Sequence, residues 1–217
     1  MHIRLKYGED GLDLEFPETS NFVGVLYPQE AEVLPEPKDA IQQSLLRPIE
    51  SEPLKELGRG KTDAVIVISD ITRPVPNALL LPIIIQQLEA AGLPSEKITI
   101  LIATGNHRPN EGQELERLVG KEIASSYRVI NHLSKNQDDM VLVGHIGDRV
   151  PALVNKYYLA ADLKILTGFI EPHMWAGFSG GRKSILPGIS SVKTLEFMHG
   201  PEMVAHPQTR YGILEGN

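Results

Sequence analysis

Apolar and polar residues alternate through residues 3–7 and 12–16, with Gly8-Glu9-Asp10-Gly11 between them, which predicts a β-hairpin at the N-terminus. The proline-rich stretch 17–38 breaks the alternation and predicts an extended segment lying over the domain surface. Short helices are expected over 39–46, limited by Pro48, and over 51–58, ending on Gly58 as a C-cap. The pattern changes after Thr62. Residues 64–68 (AVIVI) and 98–103 (ITILIA) are short, apolar runs rich in β-branched side chains, the signature of strands covered on both faces. A helix over about 77–91, distorted near Pro82 and stopped by Gly92, is expected between them. Further on, the pattern predicts a helix over 111–125 and strands over 127–131, 140–143 and 163–167. A helix or irregular crossover is expected around 151–160, and a short helix over 192–198. Strands alternating with helices predict an α/β fold: a largely parallel central sheet flanked by helices, Rossmann-like, with the hairpin at its N-terminus.

In open parallel sheets, ligands bind beyond the carboxyl ends of the strands. Asp70-Thr72-Arg73, Asn106-His107-Arg108, Asn131-His132 and residues 168–183 each begin within a few residues of a predicted strand end. Four separate segments are therefore expected to converge on one edge of the sheet.

Composition narrows the chemistry. The chain has 217 residues, 41% of them hydrophobic, enough for a full core. A net charge of -7 disfavours nucleic acid as a general partner. Cysteine is absent, which removes disulfides, thiolate nucleophiles and Cys-ligated metal sites and leaves His and carboxylates as candidate ligands. No run reaches transmembrane length and the N-terminus has no apolar signal-like segment, so a cytoplasmic location away from the membrane is expected.

The stretch EPHMWAGFSGGRKSILPG (171–188) carries the densest candidate chemistry: glycines at 177, 180, 181 and 188, His173, the single tryptophan Trp175, and the pair Arg182-Lys183. Residues 177–184 superficially resemble a phosphate-binding P-loop, but Arg182 stands where that motif requires glycine. An anion nest of successive backbone N–H groups around Gly180 and Gly181 survives as the weaker reading, beside that of a solvated surface loop. Among the seven histidines, His2 and His206 read as solvated, and His145 falls in a Gly-His-Ile-Gly turn. His132 sits at a strand end, where turn bonding explains it equally well. His107 and His173 lie where the sheet places a ligand, and a neutral imidazole can give or take a proton there. His199 ends the 192–198 helix, where dipole complementarity is its bland explanation. Arg73, stiffened by Pro74 and Pro76, suits bidentate binding of a carboxylate, or a structural salt bridge to Asp70. Lys183 is open to three roles: anion contact, solvated lysine or covalent anchor.

The segments SDITRPVPN (69–77), TGNHRPN (104–110), GFIEPHMWAGFSGGRKSILPGISS (168–191) and MHGPEM (198–203) together resemble the N-terminal domain of the lactate racemase family of nickel-dependent 2-hydroxyacid racemases and epimerases. The resemblance runs over essentially all of residues 1–217 and implies that a C-terminal domain lies outside this chain. It implies a nickel-pincer nucleotide (nickel pyridinium-3,5-bisthiocarboxylic acid mononucleotide), tethered through Lys183, with His199 as nickel ligand. It further implies His107 and His173 as alternating acid and base and Arg73 as the contact to the substrate carboxylate. The same resemblance sets Asp70, Thr72, Gly180 and Gly181 among the cofactor contacts. The region after Asn131 departs from the family pattern, which leaves His132 and Asp138-Asp139 without an implied role.

The implied activity is racemisation of a 2-hydroxyacid by proton-coupled hydride transfer to the tethered cofactor, which cofactor-maturation proteins would supply. Without those proteins the chain is expected to be cofactor-free. Two alternatives stand beside it: a phosphate- or nucleotide-binding α/β enzyme using the 177–184 loop, and a non-catalytic binding domain.

Overall fold

In the computed structural model the alternating N-terminal segments pair as an antiparallel hairpin of β1 (His2–Leu5) and β2 (Leu12–Glu15), with Ile3 opposite Leu14. The structure describes residues 1–216 apart from 9, 18–20, 27, 28, 30 and 148. Glu9 of the expected turn, and part of the proline-rich stretch, lie outside the described residues. The described residues between 21 and 36 carry no strand or helix. The hairpin belongs to a unit spanning Met1–Pro35, and residues Glu36–Asn217 form a second unit that contains the candidate site.

The second unit opens with α1 (Pro37–Leu46), which starts two residues earlier than expected because the fixed φ of Pro37 suits a first helical turn. Helix α2 (Leu54–Gly58) is shorter than the pattern suggested. Gly58 is its last residue and is not a left-handed cap, since Arg59 follows in extended conformation. Its role is close packing: a Cβ at Gly58 would stand 2.8 Å from the Cβ of Ala91.

The two apolar runs form β3 (Ala64–Ser69) and β4 (Ile98–Ala103), joined through α3 (Asn77–Ala90), which includes Pro82 and is followed by Gly92 at φ 101°. Next come α4 (Gly112–Val119) and α5 (Lys121–Ser126), two helices where one was expected. The break is at Gly120, whose φ of 92° is incompatible with a continuing helix. Strand β5 (Arg128–Asn131) follows.

Here the structure departs most from the pattern. Strand β6 (Met140–Ile146) does not join the parallel sheet. It pairs antiparallel with β7 (Val150–Asn155), in the stretch expected to be a crossover, and His145 lies within β6 instead of a turn. Short helix α6 (Lys156–Ala160) leads to β8 (Leu163–Leu166). A small hairpin of β9 (Pro172–His173) and β10 (Gly177–Phe178) precedes α7 (Val192–Met198) and α8 (Pro201–Val204).

The central sheet has four parallel strands in the order β5-β4-β3-β8. Successive residues of β3 serve opposite faces. Ile66 and Ile68 pack with Leu81, Ile85 and Leu88 of α3, whereas Val65 and Val67 pack with Leu101, Val154 and Ile189. Full burial of each such side chain contributes about 1.5–3 kcal/mol relative to exposure, so the uninterrupted apolar run is what a doubly covered strand requires. The chain winds outward from β3 through β4 to β5, then returns to place β8 on the other side of β3. That reversal is a topological switch point, and it opens a crevice at the carboxyl ends of β3 and β8. Among the described residues, no helix is long and apolar enough to cross a membrane.

Candidate active site

A cavity of about 400 Å³ lies at the switch point. Its walls come from the ends of β3 (Asp70, Thr72, Arg73) and β4 (Thr104 to His107), the segment after β8 (Phe169, His173, Trp175), the glycine-rich loop (Gly180, Lys183, Gly188) and the end of α7 (His199). Three of the four segments expected at the sheet edge are thus brought together, and Asn131-His132 is not among the residues that line the cavity. Within the glycine-rich loop, Gly181 does not line it either.

The loop after β3 is built around Asp70. Its carboxylate is buried, and Oδ1 accepts from the Thr72 hydroxyl at 2.6 Å and from the Thr72 backbone N–H at 3.2 Å. Oδ2 lies 2.6 Å from Nδ1 of His107. Asp70 therefore faces an imidazole, and the alternative salt bridge to Arg73 does not form. Among the described residues Arg73 has no carboxylate within salt-bridge distance, and its guanidinium borders the cavity. Such a fork can take an incoming carboxylate.

The loop after β4 turns through a His107 N–H to Thr104 carbonyl bond of 2.9 Å, which brings His107 back over Asp70. Gly105 N–H donates to the Gly188 carbonyl at 2.9 Å and so ties this loop to the glycine-rich one. Asn110, buried, secures the rest. Its Oδ1 accepts from the Ile71 N–H at 3.3 Å, its own N–H donates to Asn131 Oδ1 at 2.8 Å, and its amide also donates to Glu114. Glu114 in turn holds Arg108 in a two-pronged pair, 2.7 Å on each side, and the Arg108 guanidinium keeps its carboxyl down at about 2. The sequence reading missed Asn110. Its only local signal is an amide directly after Pro109, where side-chain bonding within a loop is common.

On the other side, β9 and β10 place Gly177 opposite His173. The backbone N–H groups of Trp175 and Ala176 each lie 3.2 Å from Nδ1 of His173. The Trp175 and His199 rings pack 5.1 Å apart between centroids. Burial pushes the His173 imidazole below its ordinary range, and Lys183, Arg73 and His199 add to this against the opposing pull of Glu171. Burial, then Arg73, likewise lowers the Lys183 amine, and burial with Lys183 lowers His199. Lys183 has no carboxylate partner among the described residues. Asp70 faces His107, whereas Arg73 and Lys183 border the cavity with no carboxylate at salt-bridge distance among the described residues, an environment suited to an anion.

The P-loop comparison weakens at this level. After Gly180, at φ 77°, the chain makes only a 3-10 turn over Gly181–Ser184. A phosphate-binding loop of that type needs a full helix whose N-terminus faces the ligand. His132, also at a strand end, is removed from the cavity. It is fully buried, its Nε2 is 2.9 Å from the Ser190 carbonyl and its Nδ1 is 3.1 Å from the Asn155 amide. It fastens the 184–191 segment to β5 and β7.

A lactate racemase of Lactiplantibacillus plantarum is 42% identical over 180 residues, covering 83% of this chain and 42% of its own length. A lactate racemase of Thermoanaerobacterium thermosaccharolyticum is 37% identical over 218 aligned positions, covering 100% of this chain and 51% of its own length. The chain thus spans about half the length of the curated relatives it matches. Among solved structures, the lactate racemase apoprotein of T. thermosaccharolyticum superposes with a TM-score of 0.82 at 36% identity, over 100% of this chain and 50% of that one. A Thermotoga maritima protein, 24% identical, shares the fold with a TM-score of 0.64 over 81% of this chain and 44% of its own. Residues 7–212 match the family model of the lactate racemase N-terminal domain, and this chain belongs to that family.

Proposed function

We propose that this chain is the cofactor-binding domain of a racemase or epimerase of 2-hydroxyacids, and that a second domain completes the protein. One observation carries the reading. Arg73, His107, His173, Lys183 and His199, which come from the ends of different strands and helices, all border one cavity at the switch point. Lactate is the substrate named for the relatives and is the first to test here.

The residues fit a nickel-pincer nucleotide on chemical grounds. Among the described residues no group of three or more His, Cys, Asp or Glu side chains could close around a metal. A metal on His199 would need further donors from outside these side chains, and a pincer ligand would supply them. Burial and then Arg73 lower the Lys183 amine, which favours its attachment to a carboxyl-type carbon. Lys183 would hold the group covalently and His199 would hold its metal. When bound, the group supplies reversible hydride acceptance from C2 of the substrate.

The chain's own residues do the rest. Arg73 binds the carboxylate and fixes the substrate's orientation. His107, oriented by Asp70, exchanges the hydroxyl proton through its other ring nitrogen. His173 serves the same purpose from the β9 side, because inversion at C2 requires the proton to be lost and regained in two different positions. Phe169 and Trp175 wall the cavity with apolar surface and limit water.

The test is expression of the whole protein together with the cofactor-making enzymes, followed by intact and peptide mass analysis and metal determination. A mass increment on Lys183 with accompanying nickel, and racemisation lost in Lys183→Ala, are expected. Unmodified Lys183 without nickel under those conditions overturns the proposal.

A further inference from the structure

We propose that His107 and His173 rest in opposite neutral tautomers: His107 presents an acceptor nitrogen to the cavity, and His173 presents a donor. The inference rests on the racemase reading of the cavity but is carried by different atoms.

At His107 the partner of Nδ1 is a carboxylate oxygen 2.6 Å away. The other oxygen of that carboxylate already accepts from the Thr72 hydroxyl and the Thr72 N–H, as an ionised carboxylate does. The shared proton therefore belongs on Nδ1 of His107, which leaves a lone pair on Nε2. At His173 the partners are reversed. Nδ1 meets two backbone N–H groups, those of Trp175 and Ala176, each at 3.2 Å. Only a lone pair can receive them, so the proton of the neutral ring sits on Nε2. Burial and the nearby Lys183, Arg73 and His199 favour that neutral ring. Among the described residues neither Nε2 has a hydrogen-bond partner, and both rings border the cavity.

The consequence is an asymmetry between two groups that an inverting enzyme uses alternately. A substrate hydroxyl donates directly to Nε2 of His107, with its proton already on the path to the base. The same hydroxyl, placed at His173, accepts a hydrogen bond from Nε2–H instead. For His173 to take a proton on Nε2, its own proton must first stand on Nδ1, where it would face two N–H groups. The turn through Met174, Trp175 and Ala176 must therefore release Nδ1, or the ring must rotate, before His173 acts as a base. That turn is a positioning element for one half of the reaction, and the two enantiomers meet the resting site in different hydrogen-bonding states.

The tautomers are read without cofactor or activity, by long-range 1H–15N correlation of imidazole-labelled chain above pH 7.5, with His107→Gln and His173→Gln for assignment. His107 is expected to carry its proton on Nδ1 and His173 on Nε2. Asp70→Asn is expected to move the His107 proton to Nε2 and leave His173 as it was. Amide exchange supplies a second reading, with protection at Trp175 and Ala176 expected to fall about three- to tenfold in His173→Phe, the loss of one ordinary hydrogen bond. Both rings protonated on the same nitrogen, or Nδ1–H on His173, would overturn the inference. Should a variant not fold, the spectrum of the unaltered chain decides it. The racemase proposal stands or falls separately, on the mass of Lys183 and the nickel content.

Discussion

The Asp70 carboxylate, held by Thr72, lies 2.6 Å from Nδ1 of His107 and turns a half-exposed imidazole into an oriented one. Asparagine at position 70 keeps the shape but offers an amide that can donate to Nδ1. Asp70→Asn in the cofactor-loaded whole protein is expected to lower kcat by roughly 10²-fold or more, with KM little changed, because general acid–base contributions are of that size. Steady-state racemisation kinetics check it, and a KM effect alone would assign Asp70 to substrate binding instead.

Lys183 owes its lowered pKa first to burial and then to Arg73, so more of it is free amine at a given pH than of a surface lysine. An amine-acylating reagent small enough to enter the cavity is expected to label Lys183 ahead of exposed lysines near pH 8. Arg73→Met removes one of the two causes and raises the amine's pKa, so labelling at that pH should slow. Peptide mass spectrometry over time reads both. Equal or faster labelling in the variant would show that burial alone sets the amine.

His132 makes a different pH prediction. Burial is the main cause that lowers its imidazole from the ordinary 6.5. The unfolded chain then binds a proton that the native chain resists, so the contribution to stability is complete above about pH 6.5 and is lost as pH falls through the lower native value. Urea unfolding is expected to show a midpoint that drops between pH 7.5 and 5.5, with a smaller drop in His132→Asn. His132→Ala should cost about 2–4 kcal/mol at pH 7.5, since it opens a cavity and leaves the Ser190 carbonyl and the Asn155 amide without their partner.

Gly58 and Ala91 offer a packing test away from the site. A methyl at 58 would meet the Ala91 Cβ at 2.8 Å, so Gly58→Ala is expected to destabilise by about 1–3 kcal/mol through overpacking. Adding Ala91→Gly should recover part of the loss. Chemical denaturation of the two single variants and the double variant measures the coupling, and strictly additive effects would refute the contact.

Asn110 joins the loops after β3 and β4 through its bonds to Ile71, Asn131 and Glu114. Asn110→Ala is expected to cost about 1–3 kcal/mol and to loosen both loops together. Hydrogen exchange should then speed up at Ile71 and in the 104–110 turn while β4 stays protected. Unchanged exchange at Ile71 would remove Asn110 from this role.

Much of the scaffold was written in local pattern. The runs AVIVI and ITILIA can be satisfied only by strands covered on both faces, and they became β3 and β4 within a residue of the expected bounds. Residues 192–198 likewise formed the expected helix, capped by the Ser191 hydroxyl accepting from the Thr194 N–H. The alternation of strands and helices led to the expectation of parallel neighbours, and with β3 and β4 parallel, Asp70 and His107 follow strands at the same end of the sheet.

Pairing over distance was not legible. Residues 140–143 have strand character, but nothing in them distinguishes a parallel neighbour from the antiparallel partner β7, and Pro151 disguised that partner as a crossover. The break at Gly120 and the packing of Gly58 look alike in sequence, since a glycine does not announce whether it supplies a positive φ or a missing methyl. Histidine hides its role in the same way. His107, His132 and His173 are one residue type, yet one ring meets a carboxylate, one is sealed against a carbonyl 58 residues away, and one meets two N–H groups of its own turn. Hydrophobic periodicity is a property of neighbours along the chain, and so the sequence determined the elements and their order. The partner of a polar atom is a property of neighbours in space, and only the tertiary structure decided that.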